Sequence, residues 1–258
     1  GSVIHAMSDE QDMREMGGLW RKLPITFATF GIATLAIVGF PFLSGFISKD
    51  AILWSAFSAD AGSFSSTFAP YAKIIWGTGV AAAALTAFYM SRLVFLTFFS
   101  GSLRAKPEVA AHVHESPWTM TLPLIVLALL SIIAGVADWP HVFGGHNTFT
   151  HWLVPAVGTG TGVSGDHART EYILMTVATL IALSSFALAF VLYAKKIHPA
   201  LGRFTEKGFG QWLHIRLFEK WHIDELYEVT VLKPLEWTSR LVLFEGMDKR
   251  IIDGLVNL

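Results

Sequence analysis

Residues 25–57 read ITFATFGIATLAIVGFPFLSGFISKDAILWSAF. This stretch of 33 residues carries only two ionisable side chains, Lys49 and its neighbour Asp50. A lysine at the centre of a membrane helix costs about 2.5–3.5 kcal/mol on insertion scales, so such a residue is rarely kept without a use. Pro41 and the pair Ser44-Gly45 interrupt the same run, and an unbroken helix does not accommodate them all. A charge beside a broken membrane helix is the pattern of ion pathways and proton relays.

The composition around this run agrees with a bilayer setting. The 258 residues are 53% hydrophobic and only 15% charged, against about 25% charged in soluble domains. Fold class is therefore an all-α integral membrane protein. A formal net charge of −1 leaves no basic excess, so nucleic acid is not expected as a partner. The chain has no cysteine, which excludes thiolate metal sites, iron–sulfur ligation by this chain and disulfides. It opens on GSVIHAMSDEQ, without the basic end and apolar core of a signal peptide. Either Gly1-Ser2 is a cloning remnant or the chain is a piece of something longer.

Four apolar stretches are expected to span the bilayer: about 25–57 (broken), 74–99, 118–136 and 172–194. Each of the last three has about the 20 residues needed to cross a hydrocarbon core of about 30 Å. The first could be one broken crossing or two short ones, and loop charge decides. Arg14, Arg21 and Lys22 precede it, Arg104 and Lys106 follow the second stretch, and residues 195–258 hold ten Lys and Arg. Residues 59–72 and 139–168 hold none. One broken crossing puts every basic segment on one side, so the positive-inside rule selects it and makes the N-terminal segment and tail cytoplasmic. Because 33 residues would make about 50 Å of straight helix, the break must bend or offset the halves, and the depth of Lys49 stays open. Small residues at Gly77, Gly79, Ala81 to Ala84 and Ala87 suit close helix packing.

The domain organisation follows. Residues 1–22 are the end of a preceding helix and a cytoplasmic loop, residues 23–195 the transmembrane region, and residues 196–258 a connector and an amphipathic helix. In the last part Ile223, Leu226, Tyr227, Val231 and Leu235 recur at helical spacing and resume with Leu241, Phe244, Met247, Ile251 and Leu255. This predicts a helix lying along the cytoplasmic face of the membrane, kinked at Pro234. It is still running at Leu258, which again points to a longer protein.

Lys49 is the leading candidate for chemistry. Burial lowers the proton affinity of a lysine, so it could exchange a proton under the control of a neighbour, with water held by the broken backbone. The competing reading is a lysine near a span end that snorkels to the headgroups, and the residues alone leave both standing. Asp50 points about 100° away from Lys49 on a helix, and reads as a supporting cap or packing contact. Arg92 reads as snorkelling, Lys73 and Asp138 as interfacial, and Glu171 as a helix N-terminal residue. His112 and His114 form an HxH beside Glu115, and His141, His146 and His151 share one loop. The first pair has no second ligand cluster, and loop histidines on a membrane surface are far more often solvent-exposed than zinc-bound, so no metal is expected. No GxGxxG, Walker or Ser/His/Asp pattern occurs, and Gly158 to Gly165 is a flexible loop with no strand before it.

Two segments carry a resemblance. GSVIHAMSDEQDMREMGGLWRKLPITF followed by GFPFLSGFISKDAIL, with DELYEVTVLKPLEWTSRL in the tail, closely resembles the large antiporter-like subunit of respiratory complex I. That family is called subunit L in bacteria and chain 5 of NADH dehydrogenase in mitochondria. The resemblance covers essentially the whole chain and is weak over residues 139–168. It implies one subunit of a proton-translocating NADH:quinone oxidoreductase in the bacterial inner (plasma) membrane, a multi-subunit enzyme. No flavin, iron–sulfur centre, quinone or other cofactor, and no redox or substrate site, would lie on this chain. Lys49, in SGFISKD, matches the family's midmembrane lysine on a discontinuous helix and would relay protons, with Asp50 in support. The family's other charged stations lie on earlier helices and have no counterpart here, so this chain could not pump alone; His5 could adjoin the polar axis. The tail would be a lateral helix bracing adjacent antiporter-like subunits, with other complex I membrane subunits and the lipid bilayer as partners. The alternatives are a subunit of a multi-subunit sodium/proton antiporter or membrane-bound hydrogenase, or a non-transporting scaffold.

Overall fold

Prolines and glycines set the helix boundaries. The structure is a computed structural model that describes residues 1–58, 71–139, 152–153, 155–156, 168–194 and 207–256, and among these every regular element is helical. After a short α1 (Ser2–Ala6), α2 (Pro24–Val38) opens on Pro24, whose missing N–H is one that a first turn leaves unbonded anyway. It closes on Gly39, left-handed at φ +84°. Gly39 N–H donates to the Ala36 carbonyl at 3.0 Å and Phe40 N–H to the Leu35 carbonyl at 2.9 Å, the paired bonds of a glycine-capped helix end.

Chain direction is lost over residues 39–43, and α3 (Ser44–Ser58) then begins. Ser44 and Gly45, read from the sequence as part of the interruption, thus form the first turn of α3. Gly45 is there because the halves abut: a Cβ at this position would stand 1.9 Å from the Ala36 carbonyl oxygen. Within the break Phe42 is left-handed at φ +72°, and its ring stacks on Trp139 at 6.0 Å.

Further on come α4 (Ala72–Val94), which ends in a π-bonded turn at Phe95–Phe99, and α5 (Pro107–His112). Then follow α6 (Trp118–Ile133), extended by the 3₁₀ turn Ala134–Asp138, and α7 (Ala168–Ala189), extended by the π turn Phe190–Ala194. Three of these are apolar enough and long enough to cross a membrane: Ala72–Phe99 with 28 residues, Trp118–Val136 with 19 and Arg169–Ala194 with 26. At 1.5 Å per residue each spans about 30 Å or more, the thickness of a hydrocarbon core. α2 is a shorter apolar helix. This is an all-α integral membrane protein.

The two halves of the broken helix follow one another. Near the start of α2, Phe27 packs on Phe98 and Phe99 at 5.2 and 5.3 Å, at the C-terminal end of α4. The start of α3 lies against the end of α6, where a Cβ on Gly135 would meet Ile47 and Ser44. Farther along, Leu53 reaches Gly79 and Phe57 packs on Trp76 at 5.8 Å, in the first turns of α4. Together α2 and α3 run antiparallel to α4 without doubling back. Of the small residues on α4, Gly79 admits the Leu53 side chain and Ala87 is fully buried, whereas nothing lies within 4 Å of a Cβ on Gly77.

Two packing regimes hold this bundle. At the Pro24 end, Met7, Leu19, Leu23 and Phe98 are completely buried with Met16 and Val94. Where water is the alternative, each such large side chain contributes about 1.5–3 kcal/mol. Deeper in, Val38, Ala87 and Ala182 meet with Met90 alongside; in hydrocarbon that drive is absent, and close contact of small side chains replaces it. On α2 the threonines Thr26, Thr29 and Thr34 are buried, while Leu122, Leu129 and Ile133 of α6 are exposed. Polar-inward and apolar-outward is the arrangement a bilayer or neighbouring apolar helices require.

One loop locks the Pro24 end. The Arg104 guanidinium donates to the carbonyls of Arg14 (2.5 Å), Met13 (3.0 Å) and Leu96 (3.3 Å) and to Ser100 Oγ (2.6 Å). Gly18, at φ +62°, passes so close that a Cβ would lie 2.5 Å from the Gly101 carbonyl oxygen. On the same loop the Arg14 guanidinium, hydrogen-bonded to Asp12, holds its carboxyl below the usual carboxylate range.

Residues 198–258 form a second compact unit. Its described part has α8 (Gly208–Phe218), then a turn in which Lys220, Trp221 and His222 are all left-handed, at φ 52°, 58° and 55°. A helical run follows as α9 (Ile223–Tyr227), π-bonded Glu228–Leu232, α10 (Lys233–Thr238), π-bonded Ser239–Ile252 and α11 (Asp253–Val256). The sharp change of direction therefore falls at 220–222, where Lys220 pairs with Asp224 at 2.5 Å. Pro234 sits where π-bonding passes to α-bonding, a widened turn that accommodates a residue without an N–H. Val229, Leu232, Trp237 and Leu243 are exposed as well as the described side chains of the expected apolar face, so apolar side chains surround the run instead of forming one stripe.

Gly45→Ala and Gly18→Ala force a Cβ into a backbone carbonyl, and overpacking of this kind costs about 1–3 kcal/mol. Each is expected to lower the thermal midpoint of the detergent-solubilised protein, with Gly77→Ala, in open space, as the neutral control.

Candidate functional site

The break leaves α2 with carbonyls that no following helical turn can satisfy. The glycine cap takes those of Leu35 and Ala36, and the next, Ile37, accepts a hydrogen bond from Lys49 Nζ. Lys49 stands on the second turn of α3 and reaches back across the break, its Cδ 3.5 Å from the place a Gly39 Cβ would occupy. The C-terminal end of a helix carries about half a negative charge. The ammonium of one half-helix is thus held by the dipole end of the other.

Beside this contact lies a cavity of about 30 Å³ lined by Val38, Gly39, Phe46, Lys49, Asp50, Leu53, Ala83, Met175, Ala178, Thr179 and Ala182. A water molecule needs about 10–15 Å³ of such space and polar partners, and here Lys49 and Asp50 supply them. Ala83 and Ala182 lie near the midpoints of Ala72–Phe99 and Arg169–Ala194. Lys49 is therefore level with the middle of two membrane-length helices. Lys49 and Asp50 both border the cavity although they are adjacent in sequence. The cavity lies between their two directions, and Glu171, one turn before Met175 on α7, is within electrostatic reach of Asp50.

Glu115 is the residue whose role the sequence concealed. Read as a neighbour of the HxH pair, it instead caps α2 from ninety positions away. Its Oε2 accepts from Ile25 N–H (2.8 Å) and Thr26 N–H (3.3 Å), and its Oε1 from Thr26 Oγ1 (2.6 Å) and Ser116 N–H (3.2 Å). α2 thus has a carboxylate at its positive end and an ammonium at its negative end, both in the favourable sense. The signal available was Pro24 at a helix start with no Ser, Thr, Asp or Asn before it, a start that needs a cap from elsewhere.

The remaining candidates separate. His5 meets His114 at a ring distance of 6.4 Å, and Ser2 near it accepts from Ser116 Oγ at 3.4 Å. That places His5 at the Glu115 end of α2, about 20 Å along the helix from the Lys49 contact. His112 Nδ1 bonds the Glu108 carbonyl at 2.8 Å, and no group of three metal-ligating side chains occurs among the described residues. The Arg92 guanidinium lies over the Tyr193 ring at 5.6 Å, with Nε buried and unpartnered, so the side chain bridges α4 and the end of α7. Lys73 is exposed at the start of α4. His141, His146, His151 and Gly158 to Gly165 lie outside the described residues, as does the side chain of Asp138.

The broken helix and its lysine lie within residues 1–74, the part of the chain that matches the family described as NADH:quinone oxidoreductase/Mrp antiporter, transmembrane. The chain is 41% identical over 257 residues to NADH-quinone oxidoreductase subunit L of Mycobacterium tuberculosis H37Rv, a match covering 100% of this chain and 37% of that protein. It is 49% identical over 253 residues to NADH-ubiquinone oxidoreductase chain 5 of Metridium senile, covering 98% and 37%. With NAD(P)H-quinone oxidoreductase chain 5 of Picosynechococcus sp. PCC 7002 it shares 36% over 285 residues, covering 100% and 40%. The chain is a homologue of these subunits along its whole length, and it spans about two fifths of theirs.

Glu115→Ala strips two N–H groups and a hydroxyl of their acceptor, and loss of a helix cap costs about 0.5–2 kcal/mol. A lower thermal midpoint is expected, with a smaller fall for Glu115→Gln, whose amide oxygen still accepts.

Proposed function

We propose that this chain acts within a longer antiporter-like subunit of a redox-driven NADH:quinone oxidoreductase, where Lys49 relays protons across the membrane. The observation that carries this reading is the Lys49 ammonium, at mid-depth, bonded to the Ile37 carbonyl at the broken end of α2. Held there, the charged form is favoured by the helix dipole. When the flexible side chain leaves the carbonyl for the cavity, that support is lost and burial favours release of the proton. Asp50, on the rim of the same cavity, biases the position of the lysine by its charge. Electron transfer belongs to other subunits, and the proton stations preceding Lys49 to other helices of the longer subunit.

In this reading the Pro24 end of the bundle, where Arg14, Arg21, Lys22, Arg104 and Lys106 gather, faces the cytoplasm of a bacterial inner membrane. The helical run over residues 223–256 is read as a lateral helix on the cytoplasmic surface of the membrane that braces neighbouring antiporter-like subunits; its exposed Leu226, Leu235, Trp237 and Phe244 supply apolar contact. A sodium/proton antiporter subunit is the second reading, supported by the family description matched by residues 1–74. The oxidoreductase names of the relatives similar over the whole chain favour the first.

Lys49→Ala, placed in the complete subunit and assembled complex, is expected to reduce proton uptake into inside-out vesicles at least tenfold per NADH oxidised. Wild-type pumping in an assembled Lys49→Ala complex would refute the relay. Asp50→Asn is expected to give a partial loss, measured in the same assay.

A further inference from the structure

Hydroxyls on these helices have a habitual partner. Thr29, Ser55, Thr86, Ser91 and Thr179 each fold back onto the carbonyl four residues earlier, at 2.6 to 3.0 Å. Thr34 does not. Its side chain is only 3% exposed, yet its Oγ1 has no partner, a condition shared among the described residues only with Arg92 Nε. A buried hydroxyl left unmade costs about 1–3 kcal/mol, and native interiors meet that cost with ordered water.

The place of Thr34 says what such a water would serve. Thr34 lies one turn before Val38 on the same face of α2, and Val38 both lines the Lys49 cavity and packs on Ala87 and Ala182. It also lies one turn before Ile37, whose carbonyl holds Lys49 Nζ. It is on the Pro24 side of that contact, the side toward Thr26 and Glu115. Val38 packs on Ala87 and Ala182 with Met90 alongside, and the next polar side chain along α2 toward Pro24 is Thr34, placed to extend the hydrated space of the cavity toward this end of the bundle.

We propose that Thr34 is a positioning residue that holds a water molecule beside the Lys49 cavity, and that this water is the lysine's proton partner on the Pro24 side. The proposal rests on the relay reading of Lys49. On leaving Ile37, the amine would meet a water already oriented by Oγ1, and the proton would pass between lysine nitrogen and water oxygen with nothing else consumed.

The test compares Thr34→Val, Thr34→Ser and Lys49→Ala in the assembled oxidoreductase in vesicles, reading proton uptake per NADH oxidised, its pH profile and the thermal midpoint of the complex. Thr34→Val keeps the shape and removes an unpaired hydroxyl, so if Thr34 were only packing, stability would hold or rise and pumping would not change. The expected result is a three- to tenfold fall in pumping for Thr34→Val at an unchanged or higher thermal midpoint, a shifted pH profile, and recovery in Thr34→Ser. Wild-type pumping by Thr34→Val, or equal loss in Thr34→Ser, overturns the proposal. A wild-type Lys49→Ala complex would instead overturn the relay reading on which it rests.

Discussion

Everything at the centre of this bundle depends on how the end of α2 is satisfied inside a membrane. Bulk water does not reach carbonyls freed by a broken helix there, and each must find a partner in the protein or in a held water molecule. The left-handed Gly39 settles two of them locally. The third is met by a charge brought from the next half-helix, Lys49 on Ile37. The same bond answers two costs together, an unbonded carbonyl and an ammonium removed from water. Neither group would be tolerable alone, so the break and the lysine are one feature.

The positions of the other helices follow from that pairing. α2 must be fixed at both ends for its last carbonyls to face Lys49, and Glu115 secures its first turn from the loop before α6. That loop is fastened to the N-terminal segment through Lys22 Nζ and the Ala110 carbonyl at 2.7 Å, and the neighbouring loop through Arg104 and the carbonyls of Met13 and Arg14. Large buried side chains hold this end, where water makes burial favourable. Val38, Ala87 and Ala182 hold the middle, where close contact of small side chains takes over.

Much of this was readable in the residues because bilayer constraints act locally. Ionisable residues are scarce in apolar runs, so Lys49 stood out, and Pro41 announced an interruption that falls at residues 39–43. Gly45 was misplaced into the interruption because glycine has two uses, a free backbone and a missing Cβ. Here it serves the second, and only the approach of Ala36 reveals which. The capping role of Glu115 was hidden because its partner is ninety residues distant, while the nearby histidines offered a more local explanation. In the tail, helical periodicity was legible, but the reversal at Lys220 to His222 was not. None of those three residue types favours a left-handed turn as glycine does, so no local signal marked it.

The contact between Gly45 and the Ala36 carbonyl has a mechanical meaning. With no side chain between them, the two half-helices meet backbone to backbone and cannot be pressed closer. A push along α2 is passed to α3 as through a solid joint, without being absorbed by soft side chains. Residues 39–43 between them carry turn hydrogen bonds and no helical ladder, so the angle between the two rods, and not their separation, sets where Lys49 stands relative to the Ile37 carbonyl.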